Sequence, residues 1–291
     1  MAFRFGLIGA GRMGRSHLRA FAGSELVAVT AIAEVSAPTR RTVAEAGYAA
    51  AVYPTVAEML DQAPVDGILI TAPSDQHAQI VGEAAARGLP VLCEKPCGVT
   101  IAQARAALEA AAGDLGTVHL VACYQWDAEP PSAAFRAHSG GIFIDMGVHE
   151  FDQLRWLTGQ DIGALRAVAS GLVPNGLGEA PDQTPDVDGA QVVAELSGGG
   201  TGFISLGRYH PAGDMARAEV FGTRGTERCD FLDPADGERA QLDALRRQAE
   251  SFAAFARGGP CEGATGADAV AALAAAEQAG ADIPALAGVR G

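Results

Sequence analysis

Six residues near the start, Gly9-Ala10-Gly11-Arg12-Met13-Gly14, constrain the fold more than any other feature of the chain. They follow directly on the apolar run Phe3–Ile8, and a helical pattern opens at Arg12. Glycines at this spacing between a strand and a helix allow a tight turn, close backbone approach to a pyrophosphate, and close packing of the helix on the strand. The start of the helix adds free N–H groups and the positive end of its dipole, which together favour an anion. A glycine-rich turn without a ligand is the plain alternative in a chain with 37 glycines. The strand on one side and the helix on the other argue against it. Gly9, Gly11, Arg12, Met13 and Gly14 are therefore read as a cofactor-binding loop.

The rest of the first half repeats the strand-then-helix rhythm. Residues 26–33, 67–70 and 90–93 form apolar runs, and helical patterns fall at 38–46, 56–61, 76–87 and 101–112. Strands that are apolar along their whole length, each followed by a helix, predict a parallel sheet covered on both faces, a doubly wound α/β fold. After Gly116 the texture changes. Strand patterns at 117–123, 164–170, 189–196, 201–208 and 216–222 follow one another, broken by Gly, Pro and Asp clusters, with a hairpin signal at Gly198-Gly199-Gly200. They predict an α+β domain with a largely antiparallel open sheet, closed by helices at 241–257 and 266–280. The expected division is 1–116 and 117–291, in keeping with a length of 291 residues.

Composition narrows the function classes. A net charge of −14 repels nucleic acid and anionic membrane alike, and no basic run is longer than Arg40-Arg41. An anionic cofactor must then rely on backbone N–H groups and a few placed cations. The five cysteines carry no Cys-x-x-Cys spacing, so neither a zinc site nor a disulfide framework is expected. No apolar stretch approaches the roughly 18 residues of a membrane span, and the first residues do not form a signal-peptide core. A cytoplasmic protein with reduced thiols and no metal is the expectation.

Four further segments carry candidate chemistry. Glu34 ends the second strand, where a carboxylate accepts from the adenosine ribose hydroxyls and repels a 2′-phosphate, favouring NAD over NADP. Arg40 and Arg41 could instead hold that phosphate; a solvated helix face is the preferred reading. Thr71-Ala72-Pro73-Ser74-Asp75-Gln76-His77 and Glu94-Lys95-Pro96 both follow strand ends, where ligands gather in parallel sheets. Lys95, set between a strand and a proline, is placed there as a held cation. In Gly140-Gly141-Ile142-Phe143-Ile144-Asp145-Met146-Gly147-Val148-His149, a helix would put Asp145 and His149 on one face, with Asp152 three residues on. A carboxylate beside an imidazole suits a general base. The same trio could bind a metal, or be a structural His–Asp pair.

These motifs in this order resemble the glucose–fructose oxidoreductase / inositol dehydrogenase family (Gfo/Idh/MocA). The landmarks are Gly9-x-Gly11-x-x-Gly14-x-x-His17, Thr71-x-Pro73-x-x-x-His77, Glu94-Lys95-Pro96, and Gly140-Gly141-x-x-x-Asp145-x-Gly147-x-His149-x-x-Asp152. The resemblance implies a Rossmann domain followed by a substrate domain, and hydride transfer between NAD (or NADP) and a secondary alcohol of a sugar or cyclitol. It implies Lys95 at the substrate hydroxyl and nicotinamide, His149 as acid–base residue, and Asp145 supporting both substrate and histidine. Thr71, Pro73, His77 and Glu94 would line the cofactor, and the C-terminal sheet would form a homodimer or homotetramer. Two departures stand out. One strand–helix unit after Glu94-Lys95-Pro96 is missing, with Tyr124-Gln125-Trp126-Asp127 a less favoured candidate for its remnant. Asp214 occupies the place of an inositol-dehydrogenase tyrosine, so Tyr209 and His210 become candidate substrate residues. The shortening leaves an alternative of another class, a nicotinamide-binding sensor or regulatory module without turnover.

Overall fold

In the first unit, glycine turns and apolar strands build a five-stranded parallel sheet. The computed structural model describes residues 1–48, 50–73, 76–94, 115–136, 139–172, 186–232 and 237–283. The strands are β1 (Phe3–Ile8), β2 (Val27–Ala33), β3 (Ala51–Tyr53), β4 (Gly67–Ile70) and β5 (Val91–Cys93), in the order β3-β2-β1-β4-β5. Interleaved helices are α1 (Arg12–Ala20), α2 (Ala37–Glu45), α3 (Val56–Gln62) and α4 (His77–Ala85). Phe5, Leu7, Ile68, Leu69 and Ile70 are fully buried, as expected of strands covered on both faces. The short strand β3 was not apparent from the sequence.

The chain divides into two compact units, Met1–Lys95 with Glu238–Gly263, and Pro96–Gly237 with Ala264–Gly291. Where the sequence reading runs a second domain unbroken over 117–291, the chain re-enters the first unit through a long helix, α7 (Gly237–Ala256). The reason is aromatic packing. The Phe252 ring lies 6.2 Å from Phe3 and 5.9 Å from Phe5, and Ala249 and Ala253 join the same core. Ser24 donates to Glu250 at 2.7 Å on the same helix.

The second unit is a six-stranded mixed sheet, β11-β10-β6-β9-β8-β7, mostly antiparallel, with β6 and β9 parallel. Its strands are β6 (Val118–Trp126), β7 (Ile162–Leu172), β8 (Val187–Leu196), β9 (Thr201–Gly207), β10 (Met215–Gly222) and β11 (Thr226–Leu232). Tyr124 to Trp126 thus belong to this sheet and are no remnant of the parallel one. β8 and β9 form the expected hairpin, turned at Gly199 with φ of 90°. Helices α5 (Ala133–Arg136), α6 (Val148–Thr158) and α8 (Gly266–Asp282) complete the unit. Ala272, Ala275, Ala276 and Ala279 repeat at helical spacing and pack in one core with Phe151, Leu154, Ile204 and Val220. Outside that core the sheet leaves Val168 63% and Val193 51% exposed.

Candidate active site

In the first unit, three glycines of the loop differ in what requires them. Gly9 sits at φ 92°, and a Cβ there would lie 2.9 Å from the Ala72 nitrogen. A Cβ on Gly14 would lie 2.2 Å from the Gly9 oxygen, so α1 could not start against β1. Gly11 has φ of −66°, and a Cβ there would meet no described residue within 4 Å. The protein itself therefore requires Gly9 and Gly14, while Gly11 leaves open space at the N-terminus of α1. That open cradle, backed by the helix dipole, fits the pyrophosphate of a dinucleotide.

Glu34 follows β2 and is 9% exposed. Its carboxylate accepts from the Ala10 N–H at 2.8 Å and the Ser36 N–H at 2.7 Å, which pins the glycine loop to the strand end. Each oxygen keeps a second lone pair for a ribose hydroxyl. Arg40, weighed above as a phosphate ligand, donates to the Glu34 and Val35 carbonyls at 2.7 and 2.8 Å. Thr71 donates to the carbonyls of Ile8 and Gly9, at 3.1 and 2.5 Å, and Nε2 of His77 bonds the Ala72 carbonyl at 2.8 Å. Both side chains thus brace the loop and the β4 end. Pro73 is exposed beside them. His17, fully buried, brings Nε2 within 2.6 Å of Glu94 and tilts edge-on to Phe21. Against a carboxylate Nε2 carries the proton, and Nδ1 has no partner among the described residues. This bond ties α1 to the end of β5, one residue before Lys95. Lys95, Pro96, Ser74, Asp75 and the helix read at 101–112 lie outside the described residues.

In the second unit the segment after Gly140-Gly141 does not open directly as an α-helix. Phe143–Gly147 forms a π-helical turn that continues into α6. At either period residues four apart stay near one face, so Asp145 and His149, both half-buried, share a side as predicted. π turns recur at functional sites because they reset the register of the side chains that follow. A Cβ on Gly147 would lie 3.0 Å from Leu206 Cδ1, so glycine lets the turn press against β9. There Asp145 accepts from Nη1 of Arg208 at 3.3 Å. Asp152 has its carboxyl raised to about 6, first by burial and then by the negative charge of Asp268 on α8. Of the other candidates, Tyr209 is 52% exposed, and His210 Nδ1 bonds the Gly213 carbonyl at 2.5 Å within a turn. Asp214 accepts from the Ala128 N–H at 2.7 Å and so serves that loop.

Sequence reasoning missed two buried features beside these residues. Glu150, 1% exposed, has its carboxyl pushed well above the usual range by burial, with Asp127 adding to the shift. The Gln125 amide, turned to donate, places its nitrogen 3.1 and 3.0 Å from the two Glu150 oxygens. The other is a pair of arginines, Arg136 and Arg208, bridged by Asp186. A signal for each exists in the pattern. Glu150 stands four residues before the buried Leu154 on the apolar stripe of α6, and Arg208 directly follows the apolar strand Thr201–Gly207.

A parallel sheet with a glycine loop at its first strand–helix junction, joined to a mixed sheet with a π turn bearing Asp145, defines a two-domain, dinucleotide-dependent class of enzyme. Residues 3–120 match the oxidoreductase family with an NAD-binding Rossmann fold, and residues 101–228 match the GFO/IDH/MocA C-terminal domain. The chain is 45% identical to the rhizopine catabolism protein MocA of Rhizobium meliloti, over 95% of this chain and 94% of that protein. It is 28% identical to an inositol 2-dehydrogenase of the same species, over 96% of each. The solved structure of a myo-inositol dehydrogenase from Corynebacterium glutamicum shares the fold at a TM-score of 0.85, covering 97% of each chain at 23% identity. The chain belongs to the GFO/IDH/MocA family of NAD-binding oxidoreductases.

Proposed function

We propose that this chain transfers hydride between NAD and a secondary alcohol of a cyclitol or related sugar. The observation that carries the reading is the glycine cradle. Among the described residues Gly11 is open, with no neighbour that requires a glycine there, and Glu34 stands at the strand end beside it. The relatives described as inositol dehydrogenases support the substrate class, and Glu34 supports NAD over NADP.

When bound, NAD supplies the hydride acceptor. The protein supplies orientation and proton handling. Loss of hydride from a carbinol carbon requires loss of the hydroxyl proton as well. His149 is the group that takes it, with Asp145 one turn before to orient the ring and the substrate. Lys95 supplies positive charge at the developing alkoxide. Asp152, Tyr209 and His210 are assigned to the substrate side, while Arg12, Met13, Thr71, Pro73, His77 and Glu94 shape the cofactor loop and its surroundings. The open face of the mixed sheet, with Val168 and Val193 exposed, supports a homodimer or homotetramer. Among the described residues no helix is long and apolar enough to cross a membrane. The net charge of −14 speaks against a nucleic-acid partner and suits the cytoplasm.

The test is NADH absorbance with wild type, His149→Ala and Lys95→Ala against inositols, aldoses and their keto forms, with NAD and NADP in parallel. Either variant is expected to lose about 100-fold or more in kcat while NAD still binds. Turnover that survives both substitutions removes these roles. Silence of the wild type on every compound, with NAD bound, turns the reading to a sensor without turnover.

A further inference from the structure

Behind Asp145 lies a chain of charges in a place where apolar packing is the norm. Arg208, with no exposed surface, sends Nη1 to Asp145 and Nη2 to Asp186, each at 3.3 Å. Arg136, 3% exposed, donates through Nε to the other oxygen of Asp186, through Nη1 to Asp188 at 3.2 Å, and through Nη2 to the Val187 carbonyl at 3.4 Å. The two arginines thus share Asp186, and Asp145 ends the chain on the side of the π turn.

The backbone is built to make this meeting. β8 and β9 pair Gly189 with Gly207, and the Arg208 N–H donates to the Asp188 carbonyl at 2.9 Å. That bond sets Arg208 beside Asp188 at the end of the ladder. Gly147, where a Cβ would crowd Leu206 Cδ1 at 3.0 Å, brings the π turn down onto the same strand.

Stability does not account for the cluster. Buried ion networks are commonly no better than apolar residues of the same volume. This one is also poorly optimised, since charge-assisted bonds run to about 2.7–2.9 Å, shorter than both Arg208 contacts. Arg208 Nε, moreover, is buried and has no partner among the described residues. Position 208 closes the continuous buried run 204–208 at the end of β9, which begins with the core residue Ile204. A buried guanidinium held by two long ion pairs, with Nε unpaired among the described residues, calls for a role beyond packing.

We propose that Arg208 is a positioning residue for turnover: it aims the Asp145 carboxylate along the face that carries His149, and Asp186 with Arg136 holds the guanidinium in place. The proposal rests on the reading of His149 and Asp145 given above. Arg208 touches Asp145 and acts through it. Lysine, with a single point of donation, cannot span Asp145 and Asp186 as the guanidinium fork does.

The test is a double-mutant cycle of Arg208→Met and Asp145→Asn, read with NAD and myo- or scyllo-inositol, together with Arg208→Lys. Arg208→Met is expected to lower kcat about 30-fold or more, with the KM for NAD unchanged within about twofold. The double variant is expected to be no slower than Asp145→Asn alone, within about threefold, and Arg208→Lys to recover only part of the loss. Multiplying losses in the double variant, or wild-type kcat in Arg208→Met, would overturn the proposal. If Arg208→Met does not fold, as urea unfolding will show, Asp186→Asn takes its place. It should lower kcat about tenfold through the loosened guanidinium, and an unchanged kcat there overturns the proposal equally. Silence of the wild type on both inositols moves the cycle to whichever sugar or keto sugar of the panel above turns over, and silence on the whole panel, with NAD bound, removes the hydride-transfer reading and the role of Arg208 in turnover with it.

Discussion

A single absent methyl group separates two kinds of glycine in the nucleotide loop. Gly14→Ala would place Cβ 2.2 Å from the Gly9 oxygen. It should destabilise the first unit by about 2–3 kcal/mol, seen as a lower urea midpoint. Gly11→Ala meets nothing among the described residues, so stability should hold within about 0.5 kcal/mol. NAD affinity should nonetheless fall at least about tenfold by calorimetry, because the methyl occupies the space the pyrophosphate needs. Wild-type affinity in Gly11→Ala would move the cofactor away from this loop. Glu34→Ala should narrow the ratio of kcat/KM for NAD over NADP, and an unchanged ratio would take Glu34 out of the ribose site. The residue types of this loop were legible in the chain, since strand, glycines and helix lie in one local stretch. The partners of Thr71, His77 and Arg40 were not. Their polar atoms bond backbone carbonyls of the loop and strand ends, and composition and spacing do not say which acceptor a side chain will reach.

At the scale of elements, the junction of the π turn and α6 carries most of the proposed chemistry, and α8 tunes it. Thr265 and Asp268 form a capping box at the start of α8, and Asp268 is held below its ordinary range chiefly by hydrogen bonds from Thr265. It therefore stays charged, and it adds to the burial that raises Asp152 to about 6. An acid raised on folding binds protons in the folded state that the unfolded chain has released. Its charged form thus costs stability, and that cost grows as pH rises from about 4 through about 6. Asp152→Asn should match wild type near pH 4 and gain about 1 kcal/mol at pH 8, a figure reduced for the partial exposure of Asp152. Urea unfolding at the two pH values checks it, and an equal effect at both would remove the titration of Asp152 as the cause. Helical period alone placed Asp145 and His149 on one side. It did not foresee the π turn, because an extra residue in a turn is set by what the turn packs against, here Gly147 on Leu206.

At the scale of the molecule, two units are built by two rules of patterning, with a core on each face of the parallel sheet and one under the mixed sheet, and one exposed sheet face remains. If that face joins subunits, Val193→Asp should shift the protein to the monomer in size-exclusion chromatography while leaving each core folded. An unchanged elution volume would place the interface elsewhere. Apolar runs interleaved with helices, then consecutive strands broken by Gly and Asp, determine by themselves the parallel sheet, the mixed sheet and the dinucleotide loop. These depend on the local periods of the backbone and on neighbours a few residues apart. Only the tertiary structure decided what meets across the chain. α7 returns to the first unit because Phe252 finds Phe3 and Phe5. His17 bonds Glu94 across 77 residues, and Arg208 reaches Asp145 across 63. No local period encodes such pairs, because they form only once sheets and helices have packed and a buried charge must find its partner in the space that is left.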